Sequence, residues 1–249
     1  MNWAEKYHEQ TCETYRDEYY GHNTIYNSAC GPASLCNAMD VLGLASWTVR
    51  DMCKFSTNAG ARGSDGTDMF KLLDAAGKKF GFSYRDTYKN AELLAHLKAG
   101  GAAIVNQGDV NKVFANGGHF VAAVGIAPDG KIYIMDSYWN ASKYKTWPPM
   151  AHLCEVVERG VVKASLETIG KASIDRPASY YLITPSPKTF RVKAIEDAPI
   201  RKEASKDSQK VGTVAKGSVH EVLEVSKGGS WYRVKPGWIA AKKCQKCEK

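Results

Sequence analysis

No apolar run in this 249-residue chain approaches the roughly 20 residues a helix needs to cross a bilayer, so no membrane span is expected. A secretory leader pattern is also missing. Met1-Asn2-Trp3-Ala4-Glu5-Lys6-Tyr7-His8 is polar and mixed in charge, with no apolar centre. The expectation is a protein made in the cytoplasm without a signal peptide, leaving it by another route if it acts elsewhere. The seven cysteines are an odd number, which argues for free thiols rather than a disulfide framework. Cys244-Gln245-Lys246-Cys247 is a single pair, and no second pair or nearby histidine completes a zinc site. A labile disulfide or free thiols suit it better. Ser64-Asp65-Gly66-Thr67-Asp68 lacks the remaining positions of a calcium loop. It reads as a loop ending in a helix cap at Thr67 or Asp68. Neither a metal nor a cofactor is expected.

The net charge of +8 comes without an RNP, zinc-finger or recognition-helix pattern, so nucleic acid is not expected as a partner. The charge is unevenly placed. Residues 1–185 carry 19 basic and 19 acidic side chains, and residues 186–249 carry 15 and 7. The break falls at Thr184-Pro185-Ser186-Pro187-Lys188, a proline-spaced polar stretch of the kind that links domains. Two domains are expected, residues 1–185 and residues 188–249, in a monomer. The second reads as short strands punctuated by Gly217 and Gly228-Gly229, a spacing that predicts a small barrel. Its basic excess suits an anionic partner, and equally a solvated lysine-rich surface.

Cys30 lies in Tyr26-Asn27-Ser28-Ala29-Cys30-Gly31-Pro32-Ala33-Ser34-Leu35, a small-residue turn running into a helical pattern. Leu35, Ala38, Met39 and Leu42 follow at i, i+3, i+4 and i+7. Pro32 is tolerated only in a first turn, so the helix begins close to Cys30. A helix N-terminus offers free N–H groups and positive dipole charge, which favour a thiolate. Downstream, Gly117-Gly118 opens a buried strand from His119 to Ile126. Pro128-Asp129-Gly130 is a turn signal, and Lys131 to Asp136 alternates as a second strand. The hairpin places His119 and Asp136 opposite or diagonal, with Cβ atoms roughly 5–8 Å apart. A one-residue bulge would turn one of them away. Singly, His119 reads as a core histidine and Asp136 as a strand-end cap. Together with Cys30 they have the composition of a nucleophile, a base and an orienting carboxylate.

The segment from Ala29 to Met39, with Gly118-His119-Phe120-Val121-Ala122-Ala123-Val124-Gly125 and Ile134-Met135-Asp136-Ser137-Tyr138, resembles the C39-like cysteine peptidases, a branch of the papain-like fold. The resemblance implies an α+β domain, a helical part plus an antiparallel sheet, with Cys30, His119 and Asp136 catalytic. Families of this fold usually place an oxyanion-donating glutamine about six residues before the cysteine. The matching position here is Thr24, and Asn23 beside it is the candidate donor. The chain from residue 188 to 243 resembles bacterial SH3 domains, which implies an SH3-like barrel binding cell wall or peptide. Trp231 and Trp238 are its candidate ligand contacts, with at least one of Trp231, Tyr232 and Trp238 expected in the core. Trp139, in the aromatic stretch after Asp136, is a candidate cleft wall, although that stretch reads equally as a packed connection.

The resemblance therefore implies a cysteine endopeptidase, lysin-like, cutting the peptide part of bacterial peptidoglycan or another peptide substrate, with the barrel holding it to the wall. Two other functions fit the same residues. One is an acyltransferase or transpeptidase, and the other is an inactive binding or adaptor protein.

Overall fold

The computed structural model describes residues 2–64, 66–140, 142–186 and 190–247. Asp65, Ala141 and the linker residues Pro187 and Lys188 lie outside the described residues, so the loop of residues 64–68 and the linker containing them are described only in part. The chain divides into two compact units, Met1–Pro185 and Ser186–Lys249.

In the first unit a two-residue ladder, β1 (Tyr19–Tyr20) with β2 (Asn23–Thr24), leads through α1 (Ile25–Ser28) into α2 (Cys30–Val41). There follow α3 (Val49–Asn58), the short ladder β3 (Arg62–Gly63) and β4 (Gly66–Thr67), α4 (Met69–Phe80), β5 (Phe82–Thr87) and α5 (Asn90–Lys98). The remainder is β6 (Ala102–Gln107), β7 (His119–Ile126), β8 (Ile132–Met135), β9 (Cys154–Glu158), β10 (Val161–Ala164), α6 (Leu166–Ala172) and β11 (Tyr180–Pro185). Seven strands form one sheet in the order β5-β11-β6-β7-β8-β10-β9. The helices start where the sequence supplies caps. The Thr24, Thr48, Asp68 and Ser165 side chains each accept a hydrogen bond from a backbone N–H in the first turn of their helix.

The sheet is buried on both faces. On one, Leu35, Met39, Met52, Leu72 and Leu73 from α2, α3 and α4 pack on Ile104, Ala122 and Met135. On the other, Leu93, Leu97 and Ile169 from α5 and α6 pack on Val105, Val121 and Ile134. β6 is accordingly an apolar run rather than an alternating strand. The helix α2 is buried from Gly31 to Met39, without a solvent face along that stretch. Cys36 lies in this core. A Cβ added at Gly31 would meet Thr67 Cβ at 2.8 Å, so glycine lets the first turn of α2 approach β4. Ser34 Oγ donates to the Phe120 carbonyl at 2.8 Å, fixing α2 along β7.

The second unit has β12 (Phe190–Ala194), β13 (Ala198–Arg201), β14 (Lys210–Val214), β15 (Val219–Val222), β16 (Glu224–Val225), β17 (Trp231–Val234), β18 (Gly237–Ala240) and β19 (Cys244–Lys246). The expected closed barrel is not what forms. The strands make two open sheets, β15-β12-β19 and β14-β13-β18-β17-β16, and no ladder among the described residues joins their edges. Closure requires every edge to find a partner. Here the edges are β14 and the two-residue β16 in one sheet and β15 and β19 in the other, and they stay unpaired with each other. The two sheets instead share one small core, with Val192, Ala194 and Val222 from one and Ile200, Val214, Val234 and Ile239 from the other.

Candidate active site

The approach to Cys30 is two helical segments with a break. Thr24 caps α1, Ala29 leaves the helical conformation, and α2 restarts at Cys30. The break has a consequence for the backbone. In an unbroken helix the Cys30 N–H would bond to the Tyr26 carbonyl four residues earlier. Instead the Gln10 side-chain amide donates to that carbonyl at 3.0 Å. No backbone carbonyl among the described residues accepts the Cys30 N–H. Cys30 itself is half-buried.

His119 begins β7 and Asp136 directly follows β8. The ladder pairs Ile126 with Ile132 and Gly125 with Tyr133, then shifts by one residue to pair Ala123 with Ile134 and Ala122 with Met135. Continued past Met135, that register sets Asp136 opposite Val121, in phase with His119 two residues earlier. Without the shift at Val124 the two would point to opposite faces. The pair is thus diagonal, and the bulge brings it together. His119 Nε2 lies 2.8 Å from Asp136 Oδ1, with both side chains buried. This leaves His119 Nδ1 as the ring nitrogen available to Cys30.

The start of β7 is held from beneath by Gln107, its ladder partner. The buried Gln107 amide donates to the carbonyls of Ala115 (2.9 Å) and Gly117 (2.7 Å). Its oxygen accepts from the N–H groups of Val113 (3.1 Å) and Phe114 (2.5 Å). One side chain therefore shapes the loop that delivers His119.

Asp136 accepts from every side. Beyond His119, Oδ1 takes the Tyr138 N–H at 3.0 Å. Oδ2 takes the Tyr144 hydroxyl at 2.6 Å and the Lys143 ammonium at 2.5 Å. Burial pushes the Asp136 carboxyl up, but Lys143 and His119 outweigh it and hold it well below the usual carboxylate range. Burial pulls His119 down, yet Asp136 and then Cys30 raise it from 6.5 to about 8. Burial also pushes the Cys30 thiol up, and hydrogen bonding and charge attraction from His119, with backbone bonds at Phe120 and Gly31, bring it below its ordinary 9.0. The thiols of Cys36, Cys53 and Cys154 show burial without such a partner, and all three are raised.

Asn23 is exposed on β2, its oxygen accepting from the Thr24 N–H at 2.8 Å and the Asn27 amide at 3.4 Å. Trp139 packs against the core beside Tyr144, ring centroids 5.8 Å apart, and its carbonyl accepts from Thr11. It is the neighbouring Tyr138 that reaches the site, its ring lying edge-on to His119 at 6.3 Å and to Tyr26 at 6.3 Å. In the second unit the register of β17 with β18 puts Trp231, Arg233, Trp238 and Ala240 on one face and Tyr232 and Ile239 on the other. Tyr232 is the core member, packed against Phe190. Trp231 borders a cavity of about 770 Å³ with Lys206, Asp207, Ser230 and Lys242. Trp238 does not line it.

Gln10 was not evident from sequence. Its side chain is 1 % exposed and ties the Cys30 approach to the end of β8. Its N–H donates to the Ser137 carbonyl at 2.9 Å, and its side-chain oxygen accepts from the Ser137 hydroxyl at 2.8 Å. Its separation from Cys30 in the chain hid it, since β1, β2 and α1 intervene.

The Peptidase_C39 like family model matches residues 6–161, and a bacterial SH3 domain model matches residues 196–243. The chain belongs to the C39-like peptidase family and carries a bacterial SH3 domain. Among solved structures, the peptidase domain of Streptococcus ComA, a bifunctional ABC transporter, is 17% identical with a TM-score of 0.42, over 64% of this chain and 92% of that one. A C39-like peptidase from Bacillus anthracis is 14% identical with a TM-score of 0.44, over 64% and 89%. Likenesses this distant carry no inference about function. No curated protein matches the chain.

Among the described residues, no group of three or more His, Cys, Asp or Glu side chains is arranged to hold a metal ion. No helix among them is long and apolar enough to cross a membrane.

Proposed function

We propose that the first unit is a cysteine endopeptidase and that its substrate is the peptide part of bacterial peptidoglycan, with the SH3 unit binding the wall. The observation that carries the reading is the buried His119–Asp136 pair, Nε2 to Oδ1 at 2.8 Å, with Cys30 at a helix start as the thiol that this histidine lowers. In this reading Cys30 attacks the scissile carbonyl as thiolate. His119 then gives its proton to the leaving amine and takes one from the water that releases the acyl group. Asp136 orients the imidazole and stabilises its charged form.

The tetrahedral oxyanion needs two donors, and the free Cys30 N–H is one. Gln10 supplies the second better than Asn23 does: it is buried against the turn before Cys30 with one amide hydrogen left after its bond to Tyr26, whereas Asn23 is exposed on β2. With a donor at Gln10, the lack of a glutamine close before Cys30 no longer favours an inactive binding protein. Gln10→Ala is expected to lower kcat by roughly 10²–10³-fold while leaving the alkylation rate of Cys30 near that of the parent. If Asn23 were the donor, Asn23→Ala would carry that loss instead.

The test of the function is digestion of purified peptidoglycan by the parent protein and by Cys30→Ala, with released fragments identified by mass. The expected result is new carboxyl and amino ends at peptide bonds, with the parent only. Ends capped by an added amine, in place of free carboxylates, would favour acyl transfer. Identical fragments from the two proteins across several wall types would contradict the proposal.

A further inference from the structure

The peptidase reading uses Cys30, His119, Asp136 and Gln10, and leaves unexplained a lysine sealed inside the site. Lys143 is 1 % exposed. Its ammonium lies 2.5 Å from Asp136 Oδ2 and donates to the Tyr138 carbonyl at 2.5 Å. Three rings surround it, with centroids at 5.2 Å (Tyr138), 5.5 Å (Tyr144) and 5.9 Å (Trp147). A lone buried ammonium is costly, so a cage of this kind is held only by fitted partners.

The chain is bent to place it. Asn140 Oδ1 accepts from the Lys143 N–H at 2.8 Å and from the Ser142 N–H at 3.1 Å, a side-chain turn. Tyr144 takes a left-handed backbone with φ 68°, a conformation that side-chain-bearing residues rarely adopt. The Tyr144 N–H then bonds to the Trp147 carbonyl at 3.1 Å, closing the loop on itself. The result delivers a cation and a phenol to the same carboxylate oxygen.

We propose that Lys143 is a positioning residue of this site: it anchors Asp136 Oδ2 so that Oδ1 stays turned to His119, and it holds the Tyr138 ring against the imidazole. This rests on the peptidase reading. The titratable and charged groups around it are Asp136, His119, Cys30, Tyr7, Tyr138, Tyr144 and Cys154. Lys143 balances the Asp136 charge, so the Cys30–His119 pair works in a neutral enclosure in either protonation state. Without it the enclosure carries one net negative charge, which disfavours the thiolate and favours the imidazolium.

The experiment compares the parent with Lys143→Met and Lys143→Gln. His119 is titrated by NMR, and Cys30 alkylation by iodoacetamide is followed across pH by peptide mass. Both midpoints are expected to rise by about one pH unit. Tyr144→Phe, which keeps the ammonium, is expected to move them less. A folded Lys143 variant with both midpoints unchanged would overturn the proposal, whatever its melting temperature. If neither variant folds, NMR of the Lys143 side chain in the parent decides: an ammonium at neutral pH supports the role, and a neutral amine overturns it. A parent Cys30 that alkylates as an ordinary thiol would sink the peptidase reading instead, while the His119 titration still tests Lys143.

Discussion

Cys30→Ala is expected to leave a folded protein whose release of wall peptides falls on the order of 10⁴–10⁶-fold. The size follows from what is removed. The helix start, the Cys30 N–H and the Gln10 amide remain, so substrate binding and part of the oxyanion site survive, but no covalent intermediate can form. The small-residue turn around Cys30 already tolerates alanine at position 29, where the side chain is fully buried, so a structural penalty is not expected to mask the result. The histidine reports the same change. The thiol is among the groups that raise His119, so the imidazole in Cys30→Ala is expected to titrate below its value in the parent. Fragment release followed by mass, beside an NMR titration of His119, checks both.

Asp136→Asn is expected to damage activity and stability together. All four side-chain partners of Asp136 donate: His119 and the Tyr138 N–H to Oδ1, Tyr144 and Lys143 to Oδ2. An asparagine amide must set its NH₂ against one of these pairs, and neither contains an acceptor in its present state. Turned toward His119, it forces the wrong tautomer, a change worth about 10⁴-fold in kcat in triads of this kind. Turned toward Lys143, it faces a buried ammonium that has lost its counter-charge. Breaking a buried pair by removing one partner typically costs about 3–5 kcal/mol. Urea unfolding is expected to show a loss of that order. Combining Asp136→Asn with Lys143→Met is expected to restore part of the stability and none of the activity. Equal stability of Asp136→Asn and the parent would contradict the buried pair.

The contrast between Lys143 and the three sequence-evident residues shows what could be read from the chain. Cys30, His119 and Asp136 sit beside local signals: a proline in a first helical turn, a glycine pair before a strand, a turn centred near Asp129. Such signals act within a few residues, so they survive without knowledge of the fold. The phase of His119 with Asp136 was less accessible, because it depends on one extra residue at Val124 inside an apolar strand whose neighbours look alike. Lys143 and Gln10 had no local signal at all. A lysine in a polar loop and a glutamine near a terminus read as solvated, and only the packing of distant segments buries them.

In the second unit the strands are local and their closure is not. Strand positions follow from Gly217, Gly228 and Gly229 and from alternating apolar residues. Whether a set of strands closes is decided by which edges pair, and no alternation encodes that. The edge strands β14 and the short β16 find no partner in β15 or β19, and the sheets stay open. The outward placement of Trp231 and Trp238 did follow from period two, once β17 and β18 were known to be partners.

Activation of Cys30 by His119, as proposed, is read out by the pH dependence of Cys30 alkylation. Rate should rise with pH as the thiol loses its proton, with its midpoint below the ordinary thiol value of 9.0. Turnover should fall again as His119 loses its proton near pH 8. Exposed Cys12 provides an internal comparison in the same sample. In His119→Ala the Cys30 midpoint is expected to move up into the range of an ordinary or buried thiol. A parent Cys30 that titrates as an unassisted thiol, or one that does not respond to loss of His119, would rule out activation by His119.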